Sequence, residues 1–302
     1  MSTAESTATD ETYPPAIPDR LSDPSTAAAL GPPRRLCVVD YHLAGAEVRV
    51  PSPAADTLAG HLHGWLYHLQ GLDPALRKAC DPEQQAAPFA AWLIGDGHPS
   101  RRPGQVSVRV CWYDEDAAHR ATLSLAGNRS AILGSQPYAL SGMSPVTRQP
   151  VSAGELLERD EDAHAVRIHT ISPVTFRNHS LWHCSLDAPT VLGSSLSRWL
   201  RLWPGSLPAE MNAVQLGMAE RAKALGWFGR PCISACEIRT EMTHRGKVDT
   251  MVLRGWAEWD LRAMDSAHRR RMCLALLRGA ELYGLGSRCA YGLGAVRVEV
   301  LR

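Results

Sequence analysis

From Leu36 onward the apolar residues fall into two successive rounds of strand and helix periodicity. Leu36 to Tyr41 is a short apolar run that predicts a strand. Thr57 to Gln70 carries Leu58, Leu62, Trp65, Leu66 and Leu69 at helical spacing, with Asp56 placed to cap its start. Phe89 to Ile94 and Val106 to Tyr113 read as strands, the second with Val106, Val108 and Val110 alternating onto one face. A helical segment over Asp116 to Leu125 and a strand over Ala131 to Leu140 complete the order β-α-β-β-α-β.

The second half repeats that order. Val166 to Ile171 reads as a strand and Leu192 to Trp203 as a helix. Ile233 to Glu241 and Val248 to Trp259 are strands joined through His244-Arg245-Gly246-Lys247, a hairpin signal. Asp265 or Ser266 can cap a helix that runs to Tyr283 with Met272, Leu274, Leu277 and Leu282 on it, and Ala295 to Leu301 alternates as a last strand. Two such units predict an α+β fold of tandem ferredoxin-like (RRM-like) domains over residues 34–150 and 164–302. The acidic, polar stretch Glu155 to Asp162 reads as the linker, at 151–163, and residues 1–33, rich in Ser, Thr, Ala and Pro without periodicity, read as a disordered tail. Sheets of this kind are widely reused, RNA binding among their uses, so the fold alone names no activity.

Between the last helix and the last strand stands YGLGSRCAYGLGAV, where Gly284, Gly286, Gly292 and Gly294 bracket Ser287 and Arg288. Glycine lacks Cβ, so such a loop can turn through positive φ, approach another chain closely and aim amide N–H groups at an anion such as phosphate. A dinucleotide fingerprint would follow a strand, open a helix and need an acidic residue about twenty positions on. Here the order is reversed, and no Gly-Lys-Ser/Thr is present for a nucleotide P-loop. A plain structural turn is the other reading, although two separate glycine pairs exceed what one turn requires.

Composition narrows the classes. The chain has 302 residues, 45% of them hydrophobic, enough for two ordinary domains. No apolar run reaches the roughly 18 residues of a membrane span, and the N-terminus lacks the basic-then-apolar form of a signal peptide, so a cytoplasmic protein is expected. Eight cysteines show no zinc-type spacing and are expected as thiols, and with no metal or nucleotide motif no cofactor is expected. A net charge of +1 argues against a wholly basic, nonspecific nucleic-acid binder. The positive charge is nearly all arginine, since only Lys78, Lys223 and Lys247 are lysines, and arginine suits bidentate phosphate contacts and base stacking. Among the clusters, Arg269 to Arg271 sit in the first turn of a predicted helix, where positive charge is mildly unfavourable, and this misfit makes Arg269 and Arg270 candidates for RNA contact.

Taken together, GLGSRCAYGLGAV, ISPVTF at Ile171 to Phe176, SSLSRWLRLWP at Ser194 to Pro204, GWAEWDL at Gly255 to Leu261, and LDPAL followed by PF over Leu72 to Phe89 resemble the CRISPR-associated endoribonucleases that process precursor CRISPR RNA, members of the repeat-cleaving RAMP superfamily. The resemblance implies metal-independent cleavage in which a ribose 2′-OH attacks the adjacent phosphate, giving a 2′,3′-cyclic phosphate and a 5′-OH. It implies CRISPR repeat RNA, precursor and mature guide, as partner, with a CRISPR effector complex as a further one. Such chemistry needs a base near the 2′-OH, an acid near the 5′-oxygen, and positive charge or N–H donors at the phosphate.

Histidine suits either proton-transfer role. The first predicted helix offers His61, His63 and His68, with Tyr67 among them. His63 and Tyr67, four apart, share a face, while Leu62, Trp65, Leu66 and Leu69 point to the core. Relatives often place a Tyr or His on this helix facing the glycine loop, which makes His63, Tyr67 and His68 the catalytic candidates. Gly284, Gly286, Ser287, Arg288, Gly292 and Gly294 are the RNA-binding candidates, with Arg288 at their centre. The histidine that many relatives carry after this helix is replaced by Ala79-Cys80-Asp81, and a lysine some carry beyond it is missing from Glu83 to Ala87. That departure keeps open a noncatalytic CRISPR RNA-binding subunit. A third reading, a small-molecule phosphate-binding enzyme on the same fold, has no motif to support it.

Overall fold

In the computed structural model the first sheet runs β1 (Cys37–Gly45), β2 (Phe89–Ile94), β3 (Gln105–Trp112), β4 (Ser130–Leu133) and β5 (Gln136–Pro145), in the spatial order β2-β3-β1-β5-β4 and antiparallel throughout. The structure describes residues 34–45, 61–66, 89–94, 105–127, 129–133, 136–147, 150–159, 163–178, 181–207, 226, 228, 231–245 and 248–301. The expected tail, the Asp56 cap, Tyr67, His68 and Ala79-Cys80-Asp81 lie outside them. Residues Pro32–Arg302 hold together as one unit.

Sequence periodicity dictates which face of this sheet is dry. Tyr41, Leu43, Val106, Val108 and Val110 alternate inward and meet Leu62, Trp65 and Leu66 of helix α1 (residues 61–66) and Ala117, Ala118, Ala121 and Leu125 of helix α2 (Glu115–Gly127). Small alanines on α2 let it lie close to the sheet. The single strand expected over Ala131 to Leu140 is instead the hairpin β4–β5, with Ala131 paired to Tyr138. An apolar run alone does not reveal such a break.

The second sheet comprises β6 (Ala165–Thr170), β9 (Cys232–Arg245), β10 (Val248–Asp260) and β11 (Val296–Leu301), ordered β11-β6-β10-β9. Helices α4 (Ala188–Leu202) and α5 (Ala267–Tyr283) join them. Asp187 and Ser266 are the caps, each accepting from a backbone N–H three residues on. Strand-helix-strand-strand-helix-strand with this antiparallel order is the ferredoxin-like arrangement expected from the sequence.

Two pieces went unforeseen. Ala153–Leu157 is a short helix, α3, within the stretch expected as linker. Ser152 and Glu155 form a reciprocal capping box and Leu156 is buried. Between β6 and α4 stands the hairpin β7 (Phe176–Asn178) and β8 (Leu181–His183).

The second core reaches into the first sheet. Leu36, Val38, Ala90, Trp92, Cys111 and Tyr113, on the face of the first sheet turned away from α1, join Trp199, Trp203, Leu276, Leu277 and Tyr283 in one buried cluster. Each fully buried large side chain of this kind contributes about 1.5–3 kcal/mol. The Tyr113 hydroxyl donates to the Tyr283 carbonyl across the same junction at 3.3 Å. That carbonyl ends α5 and begins the glycine loop, so the junction and the loop are built together.

Candidate nucleic-acid site at the domain junction

All four loop glycines have positive φ, between 78° and 85°. Two of them could not carry a side chain for a second reason. A Cβ on Gly286 would stand 2.3 Å from the Thr175 carbonyl oxygen, and one on Gly294 would stand 2.2 Å from that of Leu285. Arg288 shares the left-handed conformation, at φ 60° and ψ 30°, and leads into a single 3₁₀ turn, Cys289–Tyr291, closed by Gly292.

Three of the fragments that looked family-like in the sequence meet here. From the ISPVTF segment, the Pro173 carbonyl accepts from the Gly294 amide at 2.8 Å and the Thr175 carbonyl from the Ser287 amide at 2.7 Å. The Ser172 hydroxyl accepts from the Ala295 amide at 2.9 Å. From α4, Ser194 accepts from the Gly286 amide at 2.9 Å. Arg198, one turn on, donates to the carbonyls of Tyr283, Gly284 and Gly286, each at 2.8 Å, and lies 3.0 Å from the Cys289 sulfur. Arg198 is the residue that sequence reasoning missed. An arginine on an amphipathic helix ordinarily reads as solvated, and only its place inside SSLSRWLRLWP hinted otherwise.

This scaffold corrects the expectation that the loop's amides as a group face a ligand. Those of Leu285, Gly286, Ser287, Tyr291, Gly294 and Ala295 all donate to acceptors within the protein. The glycines serve first to press the loop onto its own domain. What the loop turns outward is Ser287, Arg288 and Tyr291, while Cys289, Ala290, Gly292, Leu293 and Gly294 are buried.

Arg288 donates to the Thr250 hydroxyl at 2.8 Å, and its guanidinium lies 5.7 Å from the centre of the Trp182 ring. Arg177, beside it on the β7–β8 hairpin, lies 5.4 Å from the same ring. Two guanidiniums on one tryptophan form a planar, cationic and aromatic surface suited to phosphate and base.

The turn also touches the first domain. Ala290 is buried in the first core, and Tyr291 stacks on His63 of α1, ring centres 3.7 Å apart and planes 21° from parallel. Phe89 of β2 lies against the same imidazole at 6.2 Å. Burial lowers the His63 pKa to about 4, against a smaller opposing effect of its hydrogen bond to the Ala290 backbone. The lowered pKa keeps the imidazole neutral at pH 7.

Of the sequence candidates, His63 and the loop residues 284–294 are therefore brought together, whereas Tyr67 and His68 lie outside the described residues. His61 is exposed on the same helix. Arg269 and Arg270 are not brought to the loop. They open α5, about 22 Å of helix rise from Gly284. Arg269 pairs with Asp265 at 3.0 Å and Arg270 donates to the Met264 carbonyl at 3.0 Å. The misfit of charge at that terminus is thus relieved by the protein's own acceptors.

Residues 168–296 match the family model of the CRISPR-associated endoribonuclease Cas6. Over this segment the chain is similar to that family. The match runs from β6 to the start of β11 and so takes in the hairpin, Arg198 and the whole glycine loop, but not His63. Among solved structures, a Cas6 (TTHB231) product complex is 18% identical at a TM-score of 0.71, covering 87% of this chain and all of that one. Thermus thermophilus Cas6 (TTHB231) gives 19% and 0.65 over 89% of this chain and all of its own length. A Cas6 (TTHA0078) substrate mimic complex gives 22% and 0.63 over 87% and 99%. At such identities these likenesses establish a shared fold over both domains of the Cas6 structures. No curated protein matches the chain. Among the described residues no helix is long and apolar enough to cross a membrane.

Proposed function

We propose that this protein is a Cas6-type endoribonuclease that processes CRISPR repeat RNA by internal transesterification. The observation that carries the reading is the placement of His63, from one domain, against the turn that holds Arg288, from the other. In the proposed reaction the 2′-oxygen forms a bond to phosphorus, the P–O5′ bond breaks, the 2′-OH proton goes to His63, and a proton is delivered to the departing 5′-oxygen. The products are a 2′,3′-cyclic phosphate and a 5′-OH, and no metal takes part. His63 suits the base because it is neutral at pH 7. Arg288 suits the phosphate, where charge accumulates on the non-bridging oxygens. Tyr67 and His68 are the candidates for the acid. The RNA would lie on the Arg177, Trp182 and Arg288 surface, in the cytoplasm, with delivery to an effector complex afterwards.

The test is incubation with repeat RNA in chelator, beside RNA carrying a 2′-deoxy at the scissile nucleotide. The reading expects cleavage of the first, none of the second, and a cyclic phosphate end. Cleavage that needs metal or survives the 2′-deoxy change overturns the mechanism. Tight binding with no cleavage in any preparation favours instead the noncatalytic RNA-binding subunit, the reading that Cys80 keeps open.

A further inference from the structure

Tyr291 is 41% exposed, so burial does not explain its place. The face it does cover is the imidazole of His63. Its position follows from the backbone around it. Arg288 enters the turn and Gly292 leaves it, both left-handed, and between them Cys289 is anchored in the second core and Ala290 in the first. A three-residue turn held at both ends leaves its last side chain little freedom, and a tyrosine ring has only two χ angles to lose. The same turn therefore meets His63 twice. The Ala290 backbone hydrogen-bonds the imidazole, and Tyr291 stacks on its face. Together the two contacts restrain the ring's orientation.

We infer that Tyr291 is a positioning residue for His63, clamping the imidazole at the angle the 2′-OH requires and linking its alignment to the glycine loop. The inference rests on the proposed role of His63. It explains why a half-exposed aromatic residue ends the turn. Because the clamp works through the ring face, phenylalanine would serve and an aliphatic residue of similar bulk would not. Misalignment of a catalytic group by about 1 Å costs up to about a hundredfold in rate.

The experiment compares wild type with Tyr291→Phe, Tyr291→Leu, Tyr291→Ala and His63→Ala, on repeat RNA under single-turnover conditions. Affinity is measured separately on the 2′-deoxy RNA. Tyr291→Phe is expected within about threefold of wild type, and the Leu and Ala variants slower by about 10- to 100-fold. Their affinity for the 2′-deoxy RNA is expected to stay within about threefold, because the loss lies in the chemical step and not in binding. Wild-type rates for Leu or Ala overturn the inference, as does a loss confined to affinity. A Phe variant as slow as Ala overturns it too, since the hydroxyl would then be what matters. The role of His63 fails separately, if His63→Ala cleaves at the wild-type rate whatever the Tyr291 variants do. Thermal melting of each variant keeps a folding defect distinct, and the Leu variant preserves bulk where Ala does not.

Discussion

Replacing Arg198 with methionine keeps the aliphatic length that crosses the second core but removes all its donors. Three carbonyls, those of Tyr283, Gly284 and Gly286, then lose a charged partner at 2.8 Å. A hydrogen bond to a charged group contributes about 1.5–3 kcal/mol, and water reaches part of this site, so the low end of that range applies. The three together are worth about 3–5 kcal/mol. Lysine keeps the charge, yet a single ammonium cannot serve three carbonyls that the guanidinium fork spans, and Arg198→Lys is expected to lose about 1–3 kcal/mol. Urea unfolding gives both values. Because these carbonyls fix the path of the loop, RNA cleavage at a temperature where the variant stays folded should fall at least about tenfold. A methionine variant that loses less than about 1 kcal/mol and cleaves like wild type would show that the loop holds its shape without the fork.

Gly286→Ala meets both a positive φ and the Thr175 carbonyl 2.3 Å from the new Cβ, and should destabilise by about 2–4 kcal/mol. Gly127→Ala, with nothing within 4 Å, should be neutral or slightly stabilising, and equal melting temperatures for the two variants would refute the argument. For His63 the folded pKa of about 4 lies below the ordinary 6.5, so the unfolded chain takes up the proton first. Stability is therefore unaffected above pH 6.5 and is lost as pH falls from there through about 4. His63→Gln should flatten that part of the curve, and parallel curves for the two proteins would sink the assignment.

The fold was legible wherever one periodicity ran unbroken. Phe89 to Ile94 appears as a strand with the bounds its apolar residues suggest, and the stripe Leu62, Trp65 and Leu66 is buried as its spacing requires. Legibility failed where short elements gain their stability from tertiary contact. Ala153–Leu157 has one capping box and one buried leucine, too little for periodicity to register in an acidic stretch. The β7–β8 hairpin has three residues per arm, and Arg177 and Trp182 take their meaning from an arginine more than a hundred positions away.

The candidate site shows the same division at finer scale. Glycine spacing announced a loop that must come close to something, and that something turned out first to be its own domain, at Thr175, Pro173 and Ser194. A composition argument sees the need for close approach but not its object. His63 could be read as sharing a face with Tyr67, yet its contacts with Ala290 and Tyr291 depend on how one domain sits against the other, which no local spacing encodes. What ties these observations together is the 3₁₀ turn itself. Cys289 belongs to one core and Ala290 to the other, so the residues between Arg288 and Tyr291 report the relative position of the two domains. If the domains shift, His63 and Arg288 separate together, and the proposed cleavage would then depend on an intact junction.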